Sequence, residues 1–171
     1  MIAPVAEQPQ YNILTRQKVE GEFQRLYSRA GTGLTVFSPI KMGVLSGKYN
    51  ANADGSPPPG SRFADSQDKF AKFMREKIGS DSDSEWKTQL ETVKRLAPVA
   101  EKVGCTQAQL AVAWCLKNPN VSSVITGASK PEQVEENVAA LGVVPKLTEE
   151  IMAEIDAIVG NKVSPDPARQ D

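Results

Sequence analysis

Three times along this chain, a short run of apolar and β-branched residues is followed by a segment in which apolar residues recur at helical spacing. The predicted strands span residues 5–8, 34–38 and 122–126. This β-then-α order is typical of an α/β fold with a parallel sheet. Three parallel strands cannot close into a barrel, so both strand edges and one sheet face should lack covering partners. We therefore expect a marginally stable monomer or a chain that needs a partner.

Capping and breaking residues predict where the first helices begin and end. Thr15 is a candidate N-cap for the first helix, and Gly31 is its candidate stop. Pro98 should kink or divide the long amphipathic segment 86–103, which Gly104 ends.

Three later helix starts are also predicted from capping residues. Thr106 and Gln109 stand at the spacing of a capping box, as do Ser129 and Glu132. Thr148 begins a last helix, in which apolar residues repeat along one face.

Charge and composition exclude several classes of protein. The net charge of -1 and the pI near 5.6 favour neither nucleic acid nor an anionic membrane as a partner. No apolar run approaches the ~20 residues of a transmembrane helix, and the first residues lack the pattern of a signal peptide. The expectation is a cytoplasmic protein without direct membrane insertion.

Cysteine and histidine usage limits the chemistry. Cys105 and Cys115 are the only cysteines, and both fall in helical context, which favours reduced, packed thiols over a disulfide or a metal site. The chain has no histidine, the commonest general acid–base group and metal ligand. No metal site is predicted.

The turn after the third predicted strand has the features of an anion site. Residues 127–137 contain a glycine turn that leads into a helix start with Pro131 in its first turn. A helix N-terminus exposes unpaired N–H groups and the positive end of the helix dipole, which suits a phosphate. An ordinary β-to-α turn remains the alternative for this segment alone.

A second strand end supports the anion site. The strand at 34–38 leads into a loop punctuated by Pro and Gly that carries Lys48, and Arg62 follows in the segment 60–63. Two strand ends, one anion-binding helix start and two nearby cations together indicate a site for the phosphates of a dinucleotide.

Four segments, SPIKMGVLSGKY, SRF, GCTQAQLAVAWCL and ITGASKPEQVEEN, resemble in content and order the C-terminal half of aldo-keto reductases. The closest resemblance is to the plant-type beta subunits of voltage-gated potassium channels, and it runs from about Glu7 to Lys162. That family forms a (β/α)8 barrel, which typically needs about 250 residues. The resemblance implies a partial barrel made of its last three βα units, strands six to eight, with extra helices. Residues 1–162 would form this half-domain, and 163–171 a frayed tail.

The resemblance also implies NADPH as cofactor and a set of cofactor-binding residues. Gln8 would hydrogen-bond the nicotinamide carboxamide, and Phe37 would stack on the nicotinamide where channel subunits usually carry Trp. The helix start at Ser129 would meet the 2′-phosphate, which favours NADPH over NADH. The remaining implied contacts are Ser38, Ile40, Gly43 and Lys48 around the pyrophosphate, Ser61 and Arg62 on the phosphates and adenosine side, and Gly127, Gln133, Glu136 and Asn137 at the adenosine end.

The resemblance does not supply a catalytic group. Aldo-keto reductases place their catalytic Asp, Tyr and Lys, and usually a His or Asn, on the earlier barrel strands, and none of those motifs is present here. Tyr11, Tyr27 and Tyr49 lack a matching Lys and Asp, so no residue is predicted to be the proton donor.

The sequence is compatible with several roles. The full family protein would reduce aldehydes or ketones with NADPH, and it would assemble as a tetramer with other beta subunits beneath a channel alpha subunit, which would place it at the membrane periphery. This chain alone is expected to be inactive. The alternatives are a non-catalytic interaction module that pairs through an open strand edge, a truncated product without a role of its own, and a fragment of a soluble aldo-keto reductase unrelated to channels.

Overall fold

The computed structural model describes residues 4–52, 54, 56–79 and 84–164. Within these ranges the chain has an α/β architecture with three strands, seven α-helices and several short 3₁₀ or π-helical turns. The strands are β1 (Ala6–Glu7), β2 (Gly33–Phe37) and β3 (Val121–Ile125). The helices are α1 (Gln24–Ala30), α2 (Arg62–Asp65), α3 (Lys69–Gly79), α4 (Ser84–Val103), α5 (Gln107–Leu116), α6 (Pro131–Ala139) and α7 (Glu149–Val159).

The three strands form one parallel sheet in the order β1-β2-β3, as the β-then-α pattern predicts. Ala6 aligns with Gly33, and Phe37 aligns with Ile125. The central strand β2 buries Leu34 and Val36 completely. All three strands therefore direct their carboxyl ends to the same edge of the sheet, where the candidate site lies.

Several helix ends follow from local chemistry alone. Gly31 ends α1 in the left-handed region, at φ 61°, and Gly160 ends α7 in the same way, at φ 67°. Thr106 begins α5 through a complete capping box with Gln109. The hydroxyl of Thr148 accepts a hydrogen bond from the backbone N–H of Ile151, 3.3 Å away, at the start of α7. These predictions are confirmed.

The prediction that Thr15 caps the first helix is wrong. The first helical segment is a π-helical turn over Lys18–Glu22, preceded by Gln17, and no side-chain cap is present. The backbone N–H of Thr15 instead donates to the carbonyl of Asn12 at 2.9 Å, and its hydroxyl accepts from Lys41 Nζ at 3.4 Å. Thr15 thus takes part in a tight antiparallel bridge that the helical periodicity does not reveal.

Of the two effects predicted for Pro98, a kink or a division of the long amphipathic segment, the division is wrong, because α4 runs unbroken through it. Leu96 and Val99, on either side of Pro98, are buried in the core, whereas Pro98 itself lies on the exposed face. The packing of the buried face offsets the one backbone hydrogen bond that a proline removes.

The core lies between the sheet and the helices α4, α5 and α7. Helix α5 is apolar almost all round, and seven of its ten residues are buried. Trp114 is the largest fully buried side chain, and its ring lies 4.9 Å from that of Tyr11. Cys105 and Cys115 are both free thiols, and burial raises the pKa of Cys115 well above its ordinary value. Reduced, packed cysteines are thus what the structure contains.

Two parts of the surface are unusually apolar. Val134, Val138 and Leu141 form a stripe along the outer side of α6 and the turn after it, each more than half exposed. Val5, next to the edge strand β1, is 80% exposed. The stripe belongs to α6 and the turn after it, whereas Val5 adjoins an open edge of the sheet, where uncovered surface is expected.

No helix within the described ranges is long and apolar enough to cross a membrane. The predicted frayed tail at 163–171 lies outside the described residues from position 165 onward.

Candidate functional site

A cavity of about 960 Å³ lies at the carboxyl ends of the three strands. Its size falls in the range of about 300–1,000 Å³ typical of ligand and cofactor sites. All but one of the residues that the sequence predicts to bind a cofactor lie on its wall. They are Phe37, Ser38, Ile40, Gly43, Lys48, Ser61, Arg62, Gly127, Ser129, Gln133, Glu136 and Asn137.

The exception is Gln8, which is exposed and does not line the cavity. Gln10 lies on the wall instead, because a bridge pairs it with Phe37 at the end of β2. Only Pro9 separates the two glutamines. The sequence therefore shows that a glutamine follows the first strand, but it does not show the pairing with Phe37 that brings Gln10 to the cavity wall.

The end of β2 presents Phe37 and Ser38 to the cavity. Phe37 is 42% exposed, an unusual degree of exposure for an aromatic residue in the central strand. Ser38 adopts φ 58°, and Asn12 holds it there by donating its side-chain amide to the Ser38 carbonyl at 3.0 Å. Within the described residues, the buried hydroxyl of Ser38 has no hydrogen-bond partner. A buried orphan hydroxyl costs about 1–3 kcal/mol, which a bound ligand can recover.

The loop after β2 is held in an uncommon backbone conformation. Lys41 and Met42 adopt φ values of 45° and 56°, and Gly43 and Gly47 adopt 92° and 78°. Non-glycine residues in this region cost about 1–3 kcal/mol each and cluster at functional sites. Successive residues of this kind also direct backbone N–H groups into a concave surface that can bind an anion.

Gly43 allows Lys48 to cross the loop. A Cβ atom at position 43 would lie 2.8 Å from Lys48 Nζ and closer still to Cε, so no other residue fits there without displacing the lysine. The Lys48 ammonium lies 5.8 Å from the centroid of the buried Tyr49 ring. This packing keeps the charge of Lys48 on the wall of the cavity.

Ser61 and Arg62 begin the short helix α2. The Ser61 hydroxyl, which is buried, caps the helix by accepting from the backbone N–H of Ala64 at 3.3 Å. Arg62 is half exposed, and its guanidinium lies 3.5 Å from the Asp68 carboxylate. Hydrogen bonds from the Ser66 hydroxyl and the Ala71 backbone N–H lower the pKa of Asp68, with a smaller contribution from Arg62. Arg62 is thus only loosely paired and can turn toward a ligand.

The start of α6 brings several donors to one point. The side-chain carbonyl oxygen of Gln133 accepts from the Ser129 N–H at 2.7 Å, from the Ser129 hydroxyl at 3.2 Å and from the Lys130 N–H at 3.3 Å. The predicted capping box of Ser129 and Glu132 is wrong, because α6 begins at Pro131 with Lys130 as the preceding residue. Three donors that converge on one oxygen form a geometry suited to a phosphate oxygen, which would displace the Gln133 amide.

The charges on the wall favour an anion. Lys48, Arg62 and Lys130 supply three cations. The two acidic residues on the wall are already engaged, because Asp65 accepts from the Gly60 N–H at 2.7 Å and Glu136 accepts from the Thr106 hydroxyl at 2.7 Å. With three cations and two carboxylates, the described wall of the cavity carries a formal net charge of +1.

None of the three tyrosines lines this cavity. Burial raises the pKa of Tyr27 to about 12 and that of Tyr49 above its ordinary value. Burial and the neighbouring Glu20 raise the pKa of Tyr11 further still. The described residues also contain no group of three or more Cys, Asp or Glu side chains that could hold a metal ion.

Comparison with known proteins relates this chain to potassium channel subunits. It is 46% identical over 162 residues to a probable voltage-gated potassium channel subunit beta from Oryza sativa subsp. japonica, covering 95% of this chain and 46% of the relative. A putative subunit beta from Schizosaccharomyces pombe is 48% identical over 159 residues, covering 93% and 43%. A probable subunit beta from Arabidopsis thaliana is 43% identical over 162 residues, covering 95% and 46%.

The chain thus spans slightly less than half the length of these relatives. The model of the aldo/keto reductase family matches residues 1–160, which is nearly the whole chain. The chain belongs to the aldo/keto reductase family.

Proposed function

We propose that this chain is the NADPH-binding half of an aldo/keto reductase of the potassium channel beta-subunit type. In this proposal its three strands correspond to strands six to eight of a (β/α)8 barrel. The observation that carries the proposal is the large cavity, whose wall combines an exposed aromatic ring, loosely engaged cations and converging backbone donors. Aldo/keto reductases generally use a nicotinamide cofactor, which has a flat ring and a pyrophosphate, with a further 2′-phosphate in NADPH.

The wall divides into regions that match the parts of such a cofactor. Phe37 offers a stacking surface for the nicotinamide, and Ser38 offers an unsatisfied hydroxyl beside it. Lys48 and Arg62 meet the pyrophosphate as charged donors. The donors at Ser129 and Lys130 meet the 2′-phosphate at the start of α6, and this extra anion selects NADPH over NADH.

Gly43 and Gly127 have no side chains, so the backbone N–H groups of the loops after β2 and β3 can approach the phosphates closely. Gln133, Glu136 and Asn137 face the adenosine end from successive turns of α6. Gln10 takes the position nearest the carboxamide that the sequence assigns to Gln8.

In this proposal the chain alone binds the cofactor but does not reduce a carbonyl. NADPH, when bound, supplies a hydride, but reduction of a carbonyl also needs a positioned acid. No tyrosine lines the cavity, and the chain has no histidine. The residues of this chain therefore bind and orient the nicotinamide without a proton donor beside it.

Binding without turnover is the expected result when the purified chain is titrated with NADPH. Saturable enhancement of the fluorescence of the reduced nicotinamide should appear, with weaker binding of NADH because it lacks the 2′-phosphate. Addition of an aldehyde should leave the absorbance of the reduced nicotinamide unchanged. Steady oxidation of NADPH by the chain alone would contradict the absence of an acid, and failure of NADPH to bind a folded chain would contradict the proposal as a whole.

A second function, as an interaction module, is favoured by the exposed apolar residues on α6, in the turn after it and at the open edge of the sheet. Val134, Val138 and Leu141 expose a continuous apolar stripe, and β3 exposes Ile125 at the far edge from β1. A parallel sheet with an open edge can accept another strand. The occupants we propose are other beta subunits in a tetramer, assembled with a potassium channel alpha subunit in the cytoplasm beneath the membrane.

Co-expression tests this second function. A tagged copy of this chain should capture the related beta subunit from rice on affinity resin, because the apolar stripe would be buried in the complex. Replacing Val138 by Lys should reduce the captured amount strongly, whereas replacing the exposed Glu132 at the other end of the same helix by Lys should not. Equal capture by the parent chain and both variants would show that the apolar stripe is not part of the interface.

A further inference from the structure

A second, smaller cavity of about 270 Å³ lies beside the cofactor cavity and is separated from it by Gln10, Met42 and Phe70. Its inner wall is apolar, with Phe63 and Trp86 nearly inaccessible to solvent. None of the sequence motifs accounts for it. At this volume, below the range of about 300–1,000 Å³ for drug-sized ligands, it suits a small molecule.

Lys41 provides the cavity with a charge that lacks an acidic partner. Within the described part of the chain, its ammonium hydrogen-bonds only the Thr15 hydroxyl, at 3.4 Å, and no carboxylate lies within ion-pair distance of it. Its backbone adopts φ 45° in the loop that follows β2, so the chain accepts local strain to place this side chain. A half-buried ammonium with one long hydrogen bond is incompletely compensated.

The other charged residues on the wall compensate each other. The Lys77 ammonium lies 3.4 Å from the Glu85 carboxylate, and the other Glu85 oxygen accepts from the Gln89 amide at 3.0 Å. On the described part of the wall, two lysines and one glutamate leave a formal excess of one positive charge. That excess is located at Lys41.

We propose that this cavity binds a small monocarboxylate whose apolar body lies against Trp86, Phe70 and Met74 and whose carboxylate pairs with Lys41. A single negative charge matches the excess positive charge, and the pairing would give the Lys41 ammonium a short, charge-assisted hydrogen bond. The apolar wall selects an acid with a hydrocarbon chain or ring over a small inorganic anion. This site does not require bound NADPH, although its wall shares Gln10, Met42 and Phe70 with the larger cavity.

The state of the free lysine agrees with this assignment. Burial lowers the pKa of Lys41, the proximity of Lys77 lowers it further, and Glu85 acts in the opposite direction. These two residues are the only other titratable groups on the described wall of the cavity. Because the carboxylate pairs with the ammonium form, its affinity should fall as the pH rises through the lowered pKa of Lys41.

Fluorescence of the chain provides the test. Of the two tryptophans, Trp86 lines the cavity, whereas Trp114 packs against Tyr11. Titration of the purified chain with hexanoate should change the Trp86 emission in a saturable way, and the uncharged hexanamide should bind at least about tenfold more weakly because it lacks the charge. Lys41→Met should weaken hexanoate binding by a similar factor, whereas Lys41→Arg should retain part of it.

The control is Lys94→Met, which removes an exposed lysine from α4 outside the cavity and should leave the affinity unchanged. If Lys41→Met does not fold, the comparison of hexanoate with hexanamide on the unmodified chain and on Lys41→Arg decides the question. Absence of saturation with hexanoate, equal binding of hexanamide, or equal loss of affinity in Lys94→Met would each overturn the proposal.

Discussion

Replacing Arg16 by Met is expected to lower the free energy of unfolding by about 3–5 kcal/mol, because it leaves the partly buried Glu20 carboxylate without its cation and leaves Asp156 with only the exposed Lys162. Only 7% of the Arg16 side chain is exposed. Its guanidinium lies 2.7 Å from Glu20 Oε2 and 2.7 Å from Asp156 Oδ1, and its Cζ atom lies 5.0 Å from the centroid of the Trp114 ring. Arg16 thereby connects the start of the chain to α7 and to the centre of the core.

Urea denaturation of the purified chain measures this effect. The matched control is Lys102→Met, because Lys102 also bridges to α7, through Glu154 at 3.0 Å, but is 52% exposed. That exposed pair should contribute no more than about 1 kcal/mol. Equal stability of the two variants would show that the Arg16 contacts do not stabilise the fold.

The same variant should also alter the dependence of stability on pH. Burial by itself would raise the pKa of Asp156, but hydrogen bonds from Arg16 and Lys162 hold it below its ordinary value. A depressed carboxyl pKa contributes stability above the unfolded pKa, and this contribution is lost as the pH falls through the folded pKa. The difference in stability between the parent chain and Arg16→Met should therefore shrink in acid. A difference that does not change with pH would contradict this.

Replacing Arg62 by Glu is expected to weaken NADPH binding by about a hundredfold. The change removes a charge-assisted hydrogen bond to a phosphate, worth about 1.5–3 kcal/mol, and adds a repulsive charge. Folding should be little affected, since Arg62 is half exposed and its pair with Asp68 is long, at 3.5 Å. The effect should diminish at high salt, because the exposed charges are then screened.

Thermal unfolding with and without NADPH measures this loss. At a hundred times its dissociation constant, a ligand adds about 2.7 kcal/mol to the folded state. The parent chain should gain this increment, whereas Arg62→Glu at the same NADPH concentration should lose most of it. Lys72→Glu, a charge reversal at an exposed position on α3 that does not line the cavity, controls for net charge. An equal gain in stability on addition of NADPH in all three chains would show that Arg62 does not contribute to NADPH binding.

The residues on the wall of the large cavity were largely foreseeable, although their arrangement was not. The carboxyl ends of parallel strands meet at one edge of a sheet, so the loops after β2 and β3 had to approach each other. Which side chains reach the wall depends on register, and a shift of two residues along the chain separates Gln8 from Gln10. Lys130 follows the predicted site residue Ser129. Because α6 begins at Pro131, the backbone N–H of Lys130 joins that of Ser129 in donating to the Gln133 side chain.

The cavity around Lys41 was not foreseeable from the sequence. Its wall combines residues from the loop after β2 with residues from α2, α3 and α4, which are far apart along the chain. No local pattern joins them, because the distances between these elements depend on how the helices pack over the loop.

By itself, the sequence determined the order of strands and helices, the parallel sheet and the helix ends at Gly31, Thr106 and Thr148. These features depend on interactions within a few residues, such as a capping hydroxyl or a glycine at positive φ. The bridge of Thr15 with Asn12 and the contacts of Gln133 with Ser129 and Lys130 join residues no more than four apart, so they are local alternatives to the caps expected there. The tertiary structure alone decided that Gln10 reaches the cavity wall and that α4 passes through Pro98. In these two cases a pairing distant in the sequence, or the burial of a helix face, contributes more free energy than the local preference that it overrides.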